Sequence, residues 1–205
     1  EPGQSFFYSD LNYLLLSEIV EQATHTSFYL AMRDLLDYEK IGLKHTWFNT
    51  LEQNPKDTKP RFYQYIESRN WANSYDESMT WGLYGPMGIV STAEDMALFM
   101  NALFSGQVFD EEATLNLMLS DIITKDGETI EHEYYGKYSS NYYMGLEHTK
   151  IDEIETFGHS GYWGSIMTYI PSSKISIGIF ILNADAIDGF EMEMIKNVNE
   201  IIKHY

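Results

Sequence analysis

The run Thr156-Phe-Gly-His-Ser-Gly-Tyr-Trp-Gly-Ser165 decides how this chain is read, because the polar triplet His159-Ser160-Gly161 opens a strand-rich, apolar C-terminal third. Downstream of it, Gly164 to Ile170 and Ile175 to Asn183 are rich in β-branched and aromatic residues, and Pro171-Ser-Ser-Lys174 between them has hairpin composition. Tyr142 to Glu147 is a third run of the same texture. All three are expected as antiparallel neighbours. Phe190, Met194, Val198, Ile201 and Ile202 mark one face of a terminal helix, predicted to cover the sheet.

Upstream the periodicity becomes helical. Leu11, Leu14, Leu15, Ile19 and Ala23 recur at helical spacing behind Ser9 or Asp10 as N-cap. Phe28 to Leu36 reads as a second helix, and Lys40 to Phe48 leaves it through Gly42 into an extended piece. Asn49 to Met79 is polar, holds Pro55 and Pro60 and shows no sustained period, which predicts surface loops.

Gly85-Pro-Met-Gly88 is turn chemistry. After it, either Ser91 with Glu94 or Thr92 with Asp95 has capping-box spacing, and the stretch is read as a helix cap and nothing more. The helix that follows runs to about Phe104, buries Met96, Phe99, Met100 and Leu103, and stops at Ser105-Gly106; a short one is expected from Glu111 to Leu119. The expected fold is therefore mixed α/β (α+β), an antiparallel sheet flanked by helices. One domain spans 1–205, with 1–140 mostly helix and loop and 141–205 the strands and terminal helix.

Composition sets the outer bounds. At 205 residues with 44% hydrophobic residues, the chain can bury roughly 70% of its unfolded surface, which rules out a disordered or fibrous protein. Thirteen basic against 31 acidic residues give a net charge of -18, which repels phosphate backbones and anionic lipid at long range, so no nucleic acid partner is expected. The absence of cysteine removes disulfides, thiolate catalysis and Cys-based metal sites. The longest strongly apolar stretch, Ile175 to Leu182, is too short for a membrane-spanning helix. The opening Glu-Pro-Gly lacks an initiator Met, which is expected of a mature, tagged or truncated product.

Four ordered segments carry a family likeness: Pro2-Gly3 with Tyr8-Ser9-Asp10-Leu11-Asn12-Tyr13, then Gly42-Leu-Lys-His-Thr-Trp-Phe48, Gly88-Ile-Val-Ser-Thr-Ala-Glu-Asp95, and Gly158-His-Ser-Gly161. Together they resemble the serine β-lactamase and penicillin-binding-protein superfamily, in the branch of class C β-lactamases, D-alanyl-D-alanine carboxypeptidases and related esterases. The family pattern is a Ser-x-x-Lys nucleophile motif, a Tyr-x-Asn motif and a Lys/His-Thr/Ser-Gly strand motif. Tyr8 takes the second and His159 to Gly161 the third. Ser-x-x-Lys occurs nowhere in the 205 residues. Because that motif precedes the tyrosine in the family, the resemblance implies the C-terminal part of a longer protein, incomplete on its N-terminal side. An uncovered sheet edge and self-association through it are expected.

The resemblance implies an acyl-enzyme hydrolase of the cell envelope, periplasm or exterior. Its substrate would be a small molecule or peptide: a D-Ala-D-Ala-type peptide, a β-lactam or a small ester. No cofactor or metal is implied. A serine hydroxyl needs a base to take its proton, and Tyr8 is the candidate base or shuttle. A phenol titrating near 10 needs a neighbouring positive charge for that role, supplied by the family's lysine and by His159. His159 binds a substrate carboxylate or passes protons, Ser160 hydrogen-bonds the same group, Gly161 lets substrate reach the strand, and the Tyr162 backbone N–H forms half of an oxyanion hole. Asp10 stands where the family has Asn, replacing an amide that donates and accepts with a carboxylate that only accepts.

Two other patterns fail. Gly158-His-Ser160-Gly161 falls one residue short of a Gly-x-Ser-x-Gly nucleophile elbow, since position 162 is Tyr. No metal-ligand spacing is present, and Glu131-His132-Glu133 reads as a solvated loop.

Overall fold

The computed structural model describes residue 4 and residues 7–53, 63–66, 70–73, 84–121, 127, 140–183, 186–202 and 204. Helix α1 spans Asp10–Thr24, and of the two expected caps it uses Ser9, whose Oγ accepts the Leu11 N–H at 3.3 Å. Helix α2 has the expected bounds, Phe28–Leu36. Its first N–H is not capped by Ser27. Phe28 N–H instead donates to the Glu21 carboxylate of α1 at 2.6 Å, which ties the two helices at their junction. A short α3, Tyr38–Ile41, ends on Gly42 at φ 90°, a left-handed conformation that glycine adopts without Cβ strain. Strand β1, Trp47–Phe48, follows and pairs with β4, Ile89–Val90.

The surface loop expected from Asn49 to Met79 is corrected in part. Tyr63–Ile66 (β2) and Asn70–Asn73 (β3) form an antiparallel ladder with Tyr65 opposite Trp71. Four residues per strand is too short for alternation to stand out in a polar sequence.

Helix α4 runs Ala93–Phe104 and α5 Glu112–Met118, close to expectation. Both motif segments on either side of β1 and β4 are joined by the buried Asp95 carboxylate. It accepts His45 N–H and Thr46 Oγ1–H, both at 2.7 Å, while Thr46 Oγ1 also meets Ser91 Oγ at 2.8 Å. Thr92 Oγ1 caps α4 by accepting Asp95 N–H at 3.1 Å. The reading of Ser91 to Asp95 as a cap alone is thus too small: the cap's own carboxylate clamps the 45–46 turn.

The main sheet is a meander of β5 Ser140–Tyr142, β6 Glu147–Ile151, β7 Ile154–Ser160, β8 Ser165–Ile170 and β9 Ile175–Phe180, antiparallel in that order. Tyr142 to Glu147, expected as one strand, instead spans a bend: the two end residues pair across it as the end of β5 and the start of β6, and residues 143–146 turn between them, with Gly145 at φ 85°. The β6–β7 hairpin turns through Asp152 at φ 55°. Four consecutive polar residues, Glu147-His-Thr-Lys150, precede Ile151 in β6, which hides the strand from a search for apolar runs.

Alternation along β8 splits the core. Tyr169 and Met167 pack with Met100 and Leu103 of α4, and Phe104 stacks on Tyr169 at 4.2 Å between ring centroids. Ile166 and Ile170 face the other way, toward α6, Ile187–Ile202. A Cβ on Gly178 would run into the Ala93 carbonyl oxygen, so glycine lets the start of α4 rest on β9. A second core of Phe28, Tyr38, Ile41, Leu43, Phe48 and Ala102 joins α2, α3 and α4, making α4 the middle layer. Met100, fully buried between α4 and the sheet, contributes about 1.5 to 3 kcal/mol by its burial.

Two helical faces differ from expectation. On α6 the buried residue is Ile195, with Met192 and Val198 packed in the same cluster and Met194 against Ile166 and Ile179, while Phe190 and Ile201 are exposed. On α1, Leu11, Leu15 and Ile19 point outward, at 56%, 55% and 60% exposure, and Ser17 is the buried residue. Gly85, at φ 90°, explains the inversion. A Cβ there would strike Ser17 Oγ, so loop and helix approach through their smallest side chains.

Candidate active site

His159 is the penultimate residue of β7, held in register opposite Met167 of β8. Tyr8 lies just before the Ser9 cap of α1. The fold brings these two together from opposite ends of the sequence, with ring centroids 6.3 Å apart and planes tilted by 37°. Tyr142, at the end of β5, sits edge-on to both, 5.4 Å from the Tyr8 ring and 5.8 Å from that of His159.

Hydrogen bonds fix the histidine's state. Nδ1 lies 2.7 Å from the Ser160 carbonyl oxygen, which can only accept, so Nδ1 carries the proton. Burial holds the His159 pKa below its usual value, against the smaller opposing effect of that carbonyl, so the ring is neutral at pH 7 and Nε2 presents a lone pair. Tyr142 Oη stands 3.1 Å from Nε2 and Tyr13 Oη 2.9 Å from Tyr142 Oη. Burial pushes the Tyr142 phenol far up, so it remains protonated. A neutral imidazole does not furnish the positive charge that Tyr8 needs as a base.

Of the other residues, Asp10 opens α1 directly after Tyr8 and Ser9, a favourable place for a carboxylate at the positive end of a helix. Ser160 ends β7, half-buried, with its carbonyl committed to His159. Gly161 N–H donates to the Ser165 carbonyl at 2.7 Å, and Gly164 N–H to the Gly161 carbonyl at 2.8 Å. A Cβ on Gly161 would meet Ser165 Oγ, so a larger residue there would have to turn the Ser165 hydroxyl aside. Tyr162 is exposed at the turn's apex, its ring edge-on to Trp163 at 5.4 Å. Because Ser160 leads into a strand-to-strand turn, it lacks the strand-to-helix geometry of a nucleophile elbow.

Tyr13 and Tyr142 escaped the sequence reading. Among 16 tyrosines nothing local distinguishes them, and the one available signal was the placement of Tyr13 four residues before Ser17 on the inward side of α1. Among the described residues no group of three or more His, Asp or Glu is placed to hold a metal ion. Glu131-His132-Glu133 lies outside the described residues.

A five-stranded antiparallel sheet with helices on both faces, and a His-Ser-Gly strand end facing a tyrosine at a helix start, defines a protein of the β-lactamase/transpeptidase fold. The chain belongs to the Beta-lactamase family, whose model matches residues 1–189. It is 24% identical over 197 residues to a putative D-alanyl-D-alanine carboxypeptidase of Escherichia coli (strain K12), covering 86% of this chain and 45% of that protein. It thus spans about half the length of the curated relatives it matches. Among solved structures, D-amino acid amidase from Ochrobactrum anthropi SV3 superposes with a TM-score of 0.80 at 23% identity, over 100% of this chain and 59% of the other. A penicillin-binding protein from Bacillus halodurans gives 0.65 at 19% identity, over 89% and 53%. These superpositions establish the shared fold. Among the described residues no helix is long and apolar enough to cross a membrane.

Proposed function

We propose that this chain supplies the tyrosine and histidine side of a serine hydrolase site that works through an acyl-enzyme on an amide or ester. The observation that carries this reading is the 6.3 Å approach of the Tyr8 and His159 rings in a chain of the Beta-lactamase family. The nucleophilic serine and its lysine would come from sequence outside these 205 residues, so the chain by itself is inactive. In acylation the serine oxygen bonds to the substrate carbonyl carbon and Tyr8 relays the serine proton to the departing amine or alcohol. Water then cleaves the ester formed. Ser160 hydrogen-bonds the substrate, Gly161 keeps the strand end open, and Tyr162 N–H stabilises the oxyanion, an effect worth about 3 to 4 kcal/mol per donor. His159 orders this strand end, and Asp10 sets how the substrate amide is met.

Candidate substrates are D-Ala-D-Ala-type peptides, β-lactams and small esters. Relatives named as carboxypeptidase and amidase support that range, and the carboxypeptidase names support a cell-envelope location. Strand β9 pairs only with β8 among the described residues. That edge, together with an octameric penicillin-binding protein homologue from Pyrococcus abyssi at TM-score 0.73, supports self-association. The deciding experiment expresses the reading frame together with whatever precedes it and assays a chromogenic β-lactam, a p-nitrophenyl ester and a D-Ala-D-Ala peptide. Turnover should fall by roughly 10²- to 10⁴-fold in Tyr8→Phe. No turnover of any of the three, or turnover indifferent to Tyr8→Phe, refutes the reading.

A non-catalytic binding or sensor module is the second reading, motivated by Asp10 in place of Asn and by the missing Ser-x-x-Lys. The preceding sequence separates the two: a Ser-x-x-Lys there supports the hydrolase, and its absence supports the module.

A further inference from the structure

We propose that Tyr142, backed by Tyr13, is a positioning residue for His159: its hydroxyl donates to Nε2 and holds the imidazole as the Nδ1–H tautomer, leaving Tyr8 and Ser160 to face the substrate. The word substrate rests on the hydrolase reading; the hydrogen-bond chain does not. Its direction follows from chemistry at one end. Because the Ser160 carbonyl accepts from Nδ1, the neutral ring has only a lone pair at Nε2, and the group 3.1 Å away must be a donor. Having donated its one proton, Tyr142 accepts from Tyr13 at 2.9 Å. The chain therefore runs Tyr13 to Tyr142 to His159 to the Ser160 carbonyl, and both imidazole nitrogens are engaged by protein.

Packing supports the same assignment. Tyr142 is buried, and the turn that follows it closes on the Tyr13 phenol: a Cβ at Gly145 would lie 3.4 Å from Tyr13 Oη. The Tyr142 ring is perpendicular to that of His159, at 82°, so it walls the imidazole while its hydroxyl reaches the ring nitrogen. Loss of this hydroxyl would strand a buried lone pair, whereas loss of the ring would open a cavity. Phenylalanine separates the two.

The test is a long-range ¹H–¹⁵N spectrum of the histidine-labelled 205-residue chain, with His159→Gln to assign the ring. The wild type should show a protonated Nδ1 and a hydrogen-bonded, unprotonated Nε2. Tyr142→Phe should shift the Nε2 resonance downfield, as expected when an unprotonated nitrogen loses its donor, while backbone amides away from the site stay in place. Tyr13→Phe should give a smaller shift in the same direction. An Nε2–H tautomer in the wild type, or an unmoved Nε2 in Tyr142→Phe, overturns the proposal. Should Tyr142→Phe fail to fold by circular dichroism, Tyr13→Phe decides: the smaller downfield shift supports the chain and no shift overturns it. The spectrum needs no turnover, so failure of the hydrolase reading would leave this outcome intact.

Discussion

Asp95 offers the sharpest energetic test of how two of the four family-like segments are held together. Its carboxylate is 3% exposed and receives two hydrogen bonds at 2.7 Å, from His45 N–H and Thr46 Oγ1–H. Hydrogen bonds to a charged group are worth about 1.5 to 3 kcal/mol each, and an orphaned buried donor costs a similar amount. Asp95→Ala removes both. Thr46 Oγ1 keeps its contact with Ser91 Oγ, and alanine regains about half a kcal/mol of helix propensity. The Thr92 cap survives because it uses the backbone of residue 95. The net loss should be about 3 to 5 kcal/mol, with a melting temperature lower by roughly 6 to 20 °C at this chain length. Asp95→Asn keeps one accepting oxygen but loses the charge and exchanges the other oxygen for an NH2 donor, so about 1 to 2 kcal/mol is expected. Urea unfolding followed by tryptophan fluorescence, with a thermal scan, measures both. A cost below about 1 kcal/mol for Asp95→Ala, or equal costs for the two variants, would refute the clamp.

Gly178→Ala should cost about 1 to 3 kcal/mol in the same urea assay, because the new methyl meets the Ala93 carbonyl, a backbone atom with little freedom to move; a neutral result would mean that α4 does not rest on β9. His159 gives a pH signature with a definite sign. Its folded pKa lies below 6.5, so just below that pH the unfolded chain binds more protons and stability falls as pH falls; above 6.5 the loss vanishes. His159→Gln should flatten this slope in unfolding midpoints measured across that interval, and an unchanged slope would show that the ring is not held neutral.

Much of the frame was legible because it obeys local rules. Ser9 and Thr92 cap their helices with side-chain oxygens, α2 begins and ends where the apolar period does, and Gly42 ends α3 in the left-handed conformation. What misled was non-local. The stripe Leu11, Leu15 and Ile19 has core periodicity, yet a glycine loop more than sixty positions on claims the opposite side of the helix. Strand β6 was obscured because half-covered strands in a meander carry charges. Tyr8 and His159 could be singled out because flanking residues matched a family pattern. Tyr13 lies within a family-like segment and Tyr142 at the start of an expected strand, but neither position carries a role there, since their role is defined by partners on other elements.

That difference reflects how the site is built. His159 is placed by the sheet: α4 packs Met100 and Leu103 on β8, and register carries that order across to β7. Tyr8 is placed by α1, whose depth is set by the approach of Ser17 to Gly85. The two core clusters meet at α4, and among the described residues α1 touches the one around Phe28 only through the half-buried Val20, so apolar packing alone leaves the 6.3 Å spacing between the rings loosely set. The Tyr13–Tyr142 hydrogen bond joins α1 to β5 at the site itself. Such a bond is worth only about 1 kcal/mol, but it is directional, which nondirectional apolar packing is not. Apolar packing supplies the stability of both halves; the relative placement of Tyr8 and His159 is tied at the site by a pair of phenols.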